Sequence, residues 1–408
     1  MIMFKGAREM NILIVGNGFD LAHGLKTNYS DFLKIVYDSG SPKCILVDSS
    51  EKDSKHFCFT EKKLLNSVYH SDVFKYMWSR LDANKGWIDF ENELREIVEG
   101  VCEFPQYLVE SRTTQNGNNL RINYKLNSEW EQRVSPFMYA YIHHHIPVKN
   151  QVNRNIDKDG IVLKISTQIT EFIELFRRYL CWIDDNKVPE VENLGLFSRL
   201  RIDRFLSFNY TTTGPNTYWD TWKLEPENIC YVHGKVQADS QNHIVMGIGS
   251  NFYDTYKHAD FLPFFKFYQC YKYKTDMSYL KWLPQEVQKK YYSNPGYDVD
   301  YSGKEKCNIY IYGHSLDPTD ENILLPFFNY GPENLEVKIY IYYLNGSSLL
   351  EMEKNLVKIL GREKFETYLR QEVLKTQIRY GTISKNVELY SQTIINNRNI
   401  YLSYYNYL

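Results

Sequence analysis

Several features that would assign a chain to a particular class are missing from these 408 residues. No stretch approaches the roughly 18 consecutive apolar residues of a membrane-spanning helix, and the N-terminus lacks the profile of a signal peptide. The seven cysteines include no C-x-x-C pair. Scattered cysteines are typical of reduced thiols and argue against a zinc ribbon. We therefore expect a soluble, cytoplasmic protein with no membrane partner.

An excess of charge is also missing, since the formal net charge is −2. A dedicated nucleic-acid-binding protein is normally more basic over at least one domain, so nucleic acid is not an expected partner. A carboxylate cluster suited to two metal ions is not evident either. The three consecutive histidines at 143–145 do not share one face of a helix, and we predict no metal site.

The stretch from Ile12 to Leu33 begins with the apolar run ILIV and continues into a glycine turn. The run is typical of a short buried strand, and Gly16-Asn17-Gly18 precedes a predicted helix. This layout presents backbone N–H groups to a phosphate. The third glycine, Gly24, comes too late for the dinucleotide fingerprint G-x-G-x-x-G. A tight turn without a ligand is the alternative.

The rest of the chain combines apolar strands with a long helical part. We predict that residues 10–60 and 201–345 form an α/β core with a small lid segment near 251–300. Residues 61–200 are expected to form a helical insertion, and residues 346–408 a C-terminal helix and tail. The core strands are predicted at residues 12–15, 204–209, 228–236, 243–248, 307–312 and 337–343, and residues 111–127 are predicted to be a loop.

Polar residues and glycines follow several of these strands. They are Asn209, His233-Gly234 and Gly313-His314-Ser315, in addition to the glycine turn after the first strand. Ligands of an open parallel sheet bind outside the carboxyl ends of its strands. We therefore expect all of these residues to converge on one crevice.

Each of these residues also has a structural alternative. His233 is compatible with a core histidine, and Asn209 with a local turn before Thr211. His314 with Ser315 is compatible with the turn before a helix. For Glu91, on a predicted amphipathic helix, a solvated helix carboxylate is favoured over a ligand contact.

Taken together, five motifs resemble the AbiH family of bacterial abortive-infection proteins. They read IVGNGFDLAHGL…YSDFL, WIDFENEL, FNYTTT, VHGK and YGHSLDPTDENIL. The resemblance spans most of the chain and is weak from about Cys44 to Asn84 and after Asn345. It implies a protein that acts during phage infection.

The same motifs are similar, more distantly, to the sirtuin-like NAD-binding fold, so the fold class that we predict is a Rossmann-like parallel sheet with a helical insertion. By that resemblance Asn209 holds the nicotinamide ribose or a water, and His233 is the general base. The resemblance assigns cofactor binding to Gly16, Asn17, Gly18, Asp20, Gly24, Gly234, Gly313, His314 and Ser315. Asp20 departs from the small or hydroxyl residue of sirtuins, and either contacts a ribose hydroxyl or repels a phosphate.

Sirtuins that deacylate proteins carry four zinc cysteines, which this chain lacks, so a peptide deacylase is not expected. Sirtuin-like defence proteins without zinc are associated with NAD hydrolysis. The leading hypothesis is therefore hydrolysis of NAD to nicotinamide and ADP-ribose, with NAD as substrate or ligand. The alternatives are a nucleotide-binding regulatory module without turnover and a toxin directed at nucleic acid. A phage-derived trigger and self-association are the partners that these hypotheses involve.

Overall fold

The chain forms a mixed α/β fold around an all-parallel sheet of six strands. The computed structural model describes residues 8–40, 62–83, 89–103, 108–116, 119–126, 135–145, 158–186, 197–236, 243–249, 259–275, 277–283, 304–329, 336–371 and 373–378. The α/β class and the parallel sheet predicted from the sequence are confirmed. The predicted lid residues near 251–258 and 284–300, and the tail beyond residue 378, lie outside the described ranges.

The sheet has the spatial order β5-β4-β1-β6-β7-β8. Its strands are β1 (Arg8–Val15), β4 (Arg204–Ser207), β5 (Ile229–Tyr231), β6 (Lys304–Tyr312), β7 (Glu336–Tyr343) and β8 (Leu374–Ile378). Two further strands, β2 (Leu108–Asn116) and β3 (Asn119–Leu126), form a separate antiparallel hairpin.

The first strand is central because its side chains are apolar on both faces, as buried parallel strands require. Ile12 and Ile14 pack into one core cluster, and Leu13 and Val15 into the cluster on the other face. Ile12 is paired with Arg204 of β4 and with Ile309 of β6. β1 therefore has a parallel partner on each side.

Helices cover both faces of the sheet and its carboxyl edge. In chain order they are α1 (Asn17–Ala22), α2 (Tyr29–Gly40), α3 (Lys62–His70), α4 (Asp72–Ala83), α5 (Phe90–Glu103), α6 (Pro136–His145), α7 (Lys158–Asn186), α8 (Thr213–Thr217), α9 (Trp219–Trp222), α10 (Lys266–Tyr273), α11 (Glu321–Phe328), α12 (Gly346–Leu360) and α13 (Arg362–Arg370). Helices α1 and α9 cover one face, and α11 and α12 the other. None of the described helices is long and apolar enough to cross a membrane.

A third core cluster is built from α2–α7 together with residues of the segment 244–265. Apolar residues at helical spacing on α7, such as Ile165, Ile169 and Phe172, are buried in it as predicted. Polar contacts from Tyr179 and Asp184 fasten α7 to the sheet-forming part of the chain. Tyr179 donates to the carbonyl of Lys26 at 2.6 Å, and Asp184 accepts from the backbone N–H of Thr212 at 2.7 Å.

Three predictions about strands are corrected. Residues 111–127, predicted to be a loop, belong mostly to the β2–β3 hairpin. The strand predicted at 228–236 has only three residues, because a 3₁₀ turn, Pro226–Asn228, occupies its start. The strand predicted at 243–248 does not form: apart from one bridge between Ile248 and Phe265, its backbone bonds go to loops and side chains. β8 was not predicted. The domain boundaries themselves stay predictions.

Candidate functional site

The turns after β1 and β6 lie against each other. Gly16 N–H donates to the Tyr312 carbonyl at 3.1 Å, and Gly18 N–H donates to the Gly313 carbonyl at 2.8 Å. A Cβ at Gly16 would lie 2.7 Å from the Cα of His314, and one at Gly313 only 2.3 Å from the backbone nitrogen of Phe19. The close approach of two backbones thus accounts for these glycines, and the Gly18 N–H is already used within the chain.

Asp20, on α1, lies beside the turn that follows β4. Its carboxylate accepts from the hydroxyl of Thr211 at 2.6 Å, and the hydroxyl of Thr213 in turn donates to Thr211 at 3.0 Å. Asp20 is 1% exposed. Burial raises the pKa of Asp20 to about 6, and the neighbouring polar side chains of Thr211, Thr213 and Asn209 oppose this shift. Asp20 is therefore a carboxyl group that titrates close to neutrality.

Two buried polar atoms near this turn have no hydrogen-bond partner among the described residues. One is Oδ1 of Asp20, and the other is Nδ2 of Asn209. Asn209 follows β4 and is 6% exposed, while its backbone N–H and C=O are both bonded to the Ser207 hydroxyl. An acceptor and a donor are thus left unpaired side by side, an arrangement that a hydroxyl group satisfies.

A second group of ionisable side chains, most of them buried, surrounds Asp320, and we call it the Asp320 cluster. It comprises Glu91, His233, Lys266, His314 and Asp320. Lys266 Nζ lies 2.9 Å from Asp320 Oδ1 and 2.6 Å from Glu91 Oε1. The second Glu91 oxygen accepts from the hydroxyl of Thr319 at 2.9 Å. One cation therefore bridges two carboxylates that come from the helical part and from the end of the sheet.

Both histidines of the cluster face Asp320 through their Nε2 atoms. His233 Nε2 lies 3.3 Å from Oδ1, and His314 Nε2 lies 3.4 Å from Oδ2. Nδ1 of His314 accepts from the backbone N–H of Leu316 at 2.9 Å, so the proton of the neutral ring is on Nε2. The ring of Phe208 contacts both histidines, with its centroid 5.3 Å from that of His233 and 4.2 Å from that of His314.

The cluster's protonation follows from burial and from its charges. Burial lowers the pKa of His233, although Asp320 opposes this, so the imidazole is neutral near pH 7. Burial by itself lowers the pKa of Lys266, but the carboxylates of Asp320 and Glu91 outweigh this effect and hold the pKa above its usual range. Lys266 and the two histidines hold the pKa of Asp320 well below its usual range despite burial. Burial and the charge of Asp320 raise the pKa of Glu91 to about 7, and Lys266 opposes this.

Local structure explains how these side chains reach the same place. Asp317 caps a 3₁₀ turn, Pro318–Asp320, by accepting from the Thr319 N–H at 2.8 Å, and this turn brings Asp320 behind the end of β6. Lys266 is the first residue of α10 and points inward from a segment anchored by Gln269, whose side chain bonds both backbone groups of Met246. Glu91 lies in the first turn of α5 and keeps 32% of its side-chain exposure although both carboxylate oxygens are bonded.

The predicted strand-end residues lie at the carboxyl edge, yet not all contribute side chains to one place. Asn209 and Asp20 form one locus, and His233 and His314 another, joined through Phe208 and the turns. Asn17 is exposed and accepts from the hydroxyl of Thr27. Of the three remaining members of the prediction, Gly24 is exposed beyond α1, Gly234 packs against the carbonyl of His243, and Ser315 is exposed. Their assigned roles stay predictions.

Sequence reasoning missed Lys266 and Asp320 and favoured a solvated carboxylate at Glu91. The signal for Lys266 was present, since a single lysine interrupts the apolar run FLPFFKF. A charged residue within such a run is rarely buried unless it is paired. Asp320 carried no comparable signal, because DPTDEN reads as an ordinary helix start.

Comparison with known proteins adds one decisive match. A family described as bacteriophage abortive infection AbiH matches residues 12–332, which is most of the chain. The chain belongs to the AbiH family. The AbiH match contains the glycine turn, the Asp20–Asn209 pair and the whole Asp320 cluster, while β7, β8, α12 and α13 follow it. AbiH membership indicates a phage abortive-infection function. No curated protein and no solved structure matches the chain at a comparable level.

Proposed function

We propose that this AbiH protein hydrolyses NAD to nicotinamide and ADP-ribose at the carboxyl edge of its sheet. In order of appearance along the chain, the six parallel strands are arranged 3-2-1-4-5-6. This is the order of doubly wound, Rossmann-like nucleotide-binding sheets, which bind ligands where the order reverses. Here that point lies between β1 and β6, next to the turns that carry Asp20 and His314. The order supports a Rossmann-like, sirtuin-like core.

The observation that carries the proposal is the unpaired donor and acceptor of Asn209 and Asp20. A buried polar group without a partner costs about 1–3 kcal/mol, so a site that keeps two of them is poised for a ligand. A ribose hydroxyl accepts from the Asn209 amide and donates to the Asp20 carboxylate. The resemblance to sirtuins assigns Asn209 to the nicotinamide ribose, which agrees with this pairing.

The chemistry needs a base that is neutral at physiological pH, and His233 meets that requirement. A water oxygen attacks C1′ of the nicotinamide ribose while the C1′–N bond breaks. The bonding pair goes to the ring nitrogen, so the cationic pyridinium leaves as neutral nicotinamide. The proton of the water passes to His233 and then to solvent. The carboxylates of the Asp320 cluster favour the positive charge that develops on the ribose.

The test is release of free nicotinamide from NAD by the purified protein, measured by chromatography, with and without extract of phage-infected cells. We expect release by the wild type, and a loss of at least about 100-fold in both Asn209→Ala and His233→Ala. His70→Ala, which removes an exposed histidine, is the matched control and is expected to retain activity. Wild-type protein that releases nothing under either condition contradicts the hydrolase.

Binding is measured on the same samples by thermal shift with NAD and with ADP-ribose. A shift without any product favours a regulatory nucleotide-binding module. Cleavage of RNA that is lost in His233→Ala favours a toxin directed at nucleic acid.

A further inference from the structure

We infer that Asp320 is the positioning residue of this site: its carboxylate fixes the Nε2–H tautomer of His233 and leaves Nδ1 free to accept a proton. The geometry stands by itself, while the catalytic consequence rests on the proposed NAD hydrolysis. Asp320 belongs to none of the motifs that the resemblance to sirtuins assigns to a role.

The two carboxylate oxygens of Asp320 face different partners. Oδ1 faces His233 at 3.3 Å and Lys266 at 2.9 Å, while Oδ2 faces His314 at 3.4 Å. Lysine donates only, so Asp320 acts as an acceptor toward Lys266. An ionised carboxylate also accepts toward both rings, and the ring atom facing it must then carry the proton.

The two histidines differ in how their tautomers are held. His314 has a second restraint, because the Leu316 N–H donates to its Nδ1. For His233, Nδ1 makes no hydrogen bond to the residues that the structure describes. Among the described residues, Asp320 alone therefore selects the tautomer of His233, and His314 provides an internal control.

Several other groups facing Asp320 set its charge. Glu91 on α5 comes from the helical part, Tyr210 follows β4, and Cys270 lies on α10 with Lys266. Tyr29 on α2 interacts with Tyr210, Glu91 and Lys266. Burial raises the pKa of Tyr29, Tyr210 and Cys270, so these three are neutral near pH 7. Lys266 is the cation that keeps Asp320 ionised, and Glu91 fastens that lysine to the helical part.

Once His233 takes a proton at Nδ1, Asp320 stabilises the imidazolium without being protonated itself. This is the division of labour known for Asp–His pairs in hydrolases. Replacing Asp320 by asparagine keeps the size of the side chain but removes the charge. The side-chain amide of that variant donates as well as accepts, so it no longer excludes the Nδ1–H tautomer of His233.

The test is long-range ¹H–¹⁵N NMR of protein labelled in its histidines, at about pH 8.5, with His233→Gln and His314→Gln to assign the rings. We expect both rings of the wild type in the Nε2–H form. In Asp320→Asn, His233 is expected to shift toward Nδ1–H while His314 stays unchanged. Wild-type His233 in the Nδ1–H form overturns the inference without any variant, and so does an Asp320→Asn spectrum identical to the wild type.

Nicotinamide release from NAD is measured on the wild type and Asp320→Asn, with Asp317→Asn as the matched control. Asparagine caps a helix as well as aspartate does, so Asp317→Asn is expected to leave nicotinamide release unchanged. Asp320→Asn is expected to lower kcat about 100-fold with KM changed less than about threefold. An unchanged kcat beside a shifted tautomer overturns the catalytic part. Wild-type protein without NAD hydrolysis refutes the proposed function, while the NMR result still decides the positioning role.

Discussion

The backbone N–H of Gly18 donates to the carbonyl oxygen of Gly313 at 2.8 Å. This bond joins the turn after β1 to the turn after β6, the two central strands of the sheet. Gly313 has φ +71°, and the space where its side chain would be is filled by the Gly18–Phe19 backbone. The glycine turn resembles a phosphate-binding turn. At Gly18 and Gly313, however, the glycines also allow two backbone segments of the chain to lie in close contact.

Gly313→Ala is expected to lower the free energy of unfolding by about 2–4 kcal/mol, because left-handed strain and a backbone clash add. Gly361→Ala separates the two effects, since Gly361 has φ +76° but nothing within 4 Å of its Cβ position. We expect about 1–3 kcal/mol there, because φ +76° with ψ 154° is a backbone region that other residues rarely adopt. Urea unfolding of both variants measures the difference. Equal losses at the two positions would show that the close approach relaxes easily.

Asp20→Asn is expected to stabilise the protein at pH 7.5. Burial raises the folded-state pKa of Asp20 to about 6, so ionising it costs stability. The cost is absent below the unfolded pKa, grows between about pH 4 and 6, and is complete above. The variant should therefore gain about 1–3 kcal/mol at pH 7.5 and much less at pH 4.5. Urea unfolding at both pH values tests this, and a pH-independent loss would contradict it.

Lys266→Met should destabilise the protein by about 3–5 kcal/mol, because it leaves buried carboxylates without their cation. Adding Asp320→Asn is expected to recover part of that loss, which a double-mutant cycle measures. Arg362→Met, which removes an exposed partner of Glu366, is the control and should leave the stability almost unchanged, because exposed ion pairs contribute little. Strict additivity of Lys266→Met and Asp320→Asn would argue against the charge pair.

Gln269→Leu is expected to cost about 2–4 kcal/mol. The Gln269 amide bonds the N–H and the C=O of Met246 and also the carbonyl of Pro263, and leucine leaves these backbone groups unsatisfied. The exposed Gln371→Leu is the control. Thermal unfolding compares the two, and similar melting temperatures would mean that water or a neighbouring group replaces the amide.

Hydrophobic pattern was enough to predict the sheet where the pattern and the hydrogen bonds agree. ILIV, CNIYIY and the segment from Val337 to Tyr343 are apolar runs, and each became a strand with a parallel partner. HIVMGI has the same pattern, yet its backbone bonds go to His233, Gln269 and Phe264. A hydrophobic pattern indicates that a segment is buried. To form a strand, the segment also needs a neighbouring strand at hydrogen-bonding distance.

The candidate site was predictable only where it follows strand ends. His233, His314 and Asn209 come directly after strands, so topology alone brings them to one edge. Lys266 and Glu91 lie on helices whose packing against that edge is a matter of tertiary structure. Their pairing depends on distances that no local pattern encodes.

The central position of β1 has a consequence for how the protein is made. Its partner β4 lies about 190 residues further along the chain, and β6 later still. At about 5–20 residues per second, the apolar strand ILIV waits roughly 10–40 s on the ribosome before its first neighbour is synthesised. Sheet assembly of this kind is slow and exposes the nascent chain to aggregation. This topology predicts that folding depends on chaperones, and cooling during expression is expected to raise the soluble yield.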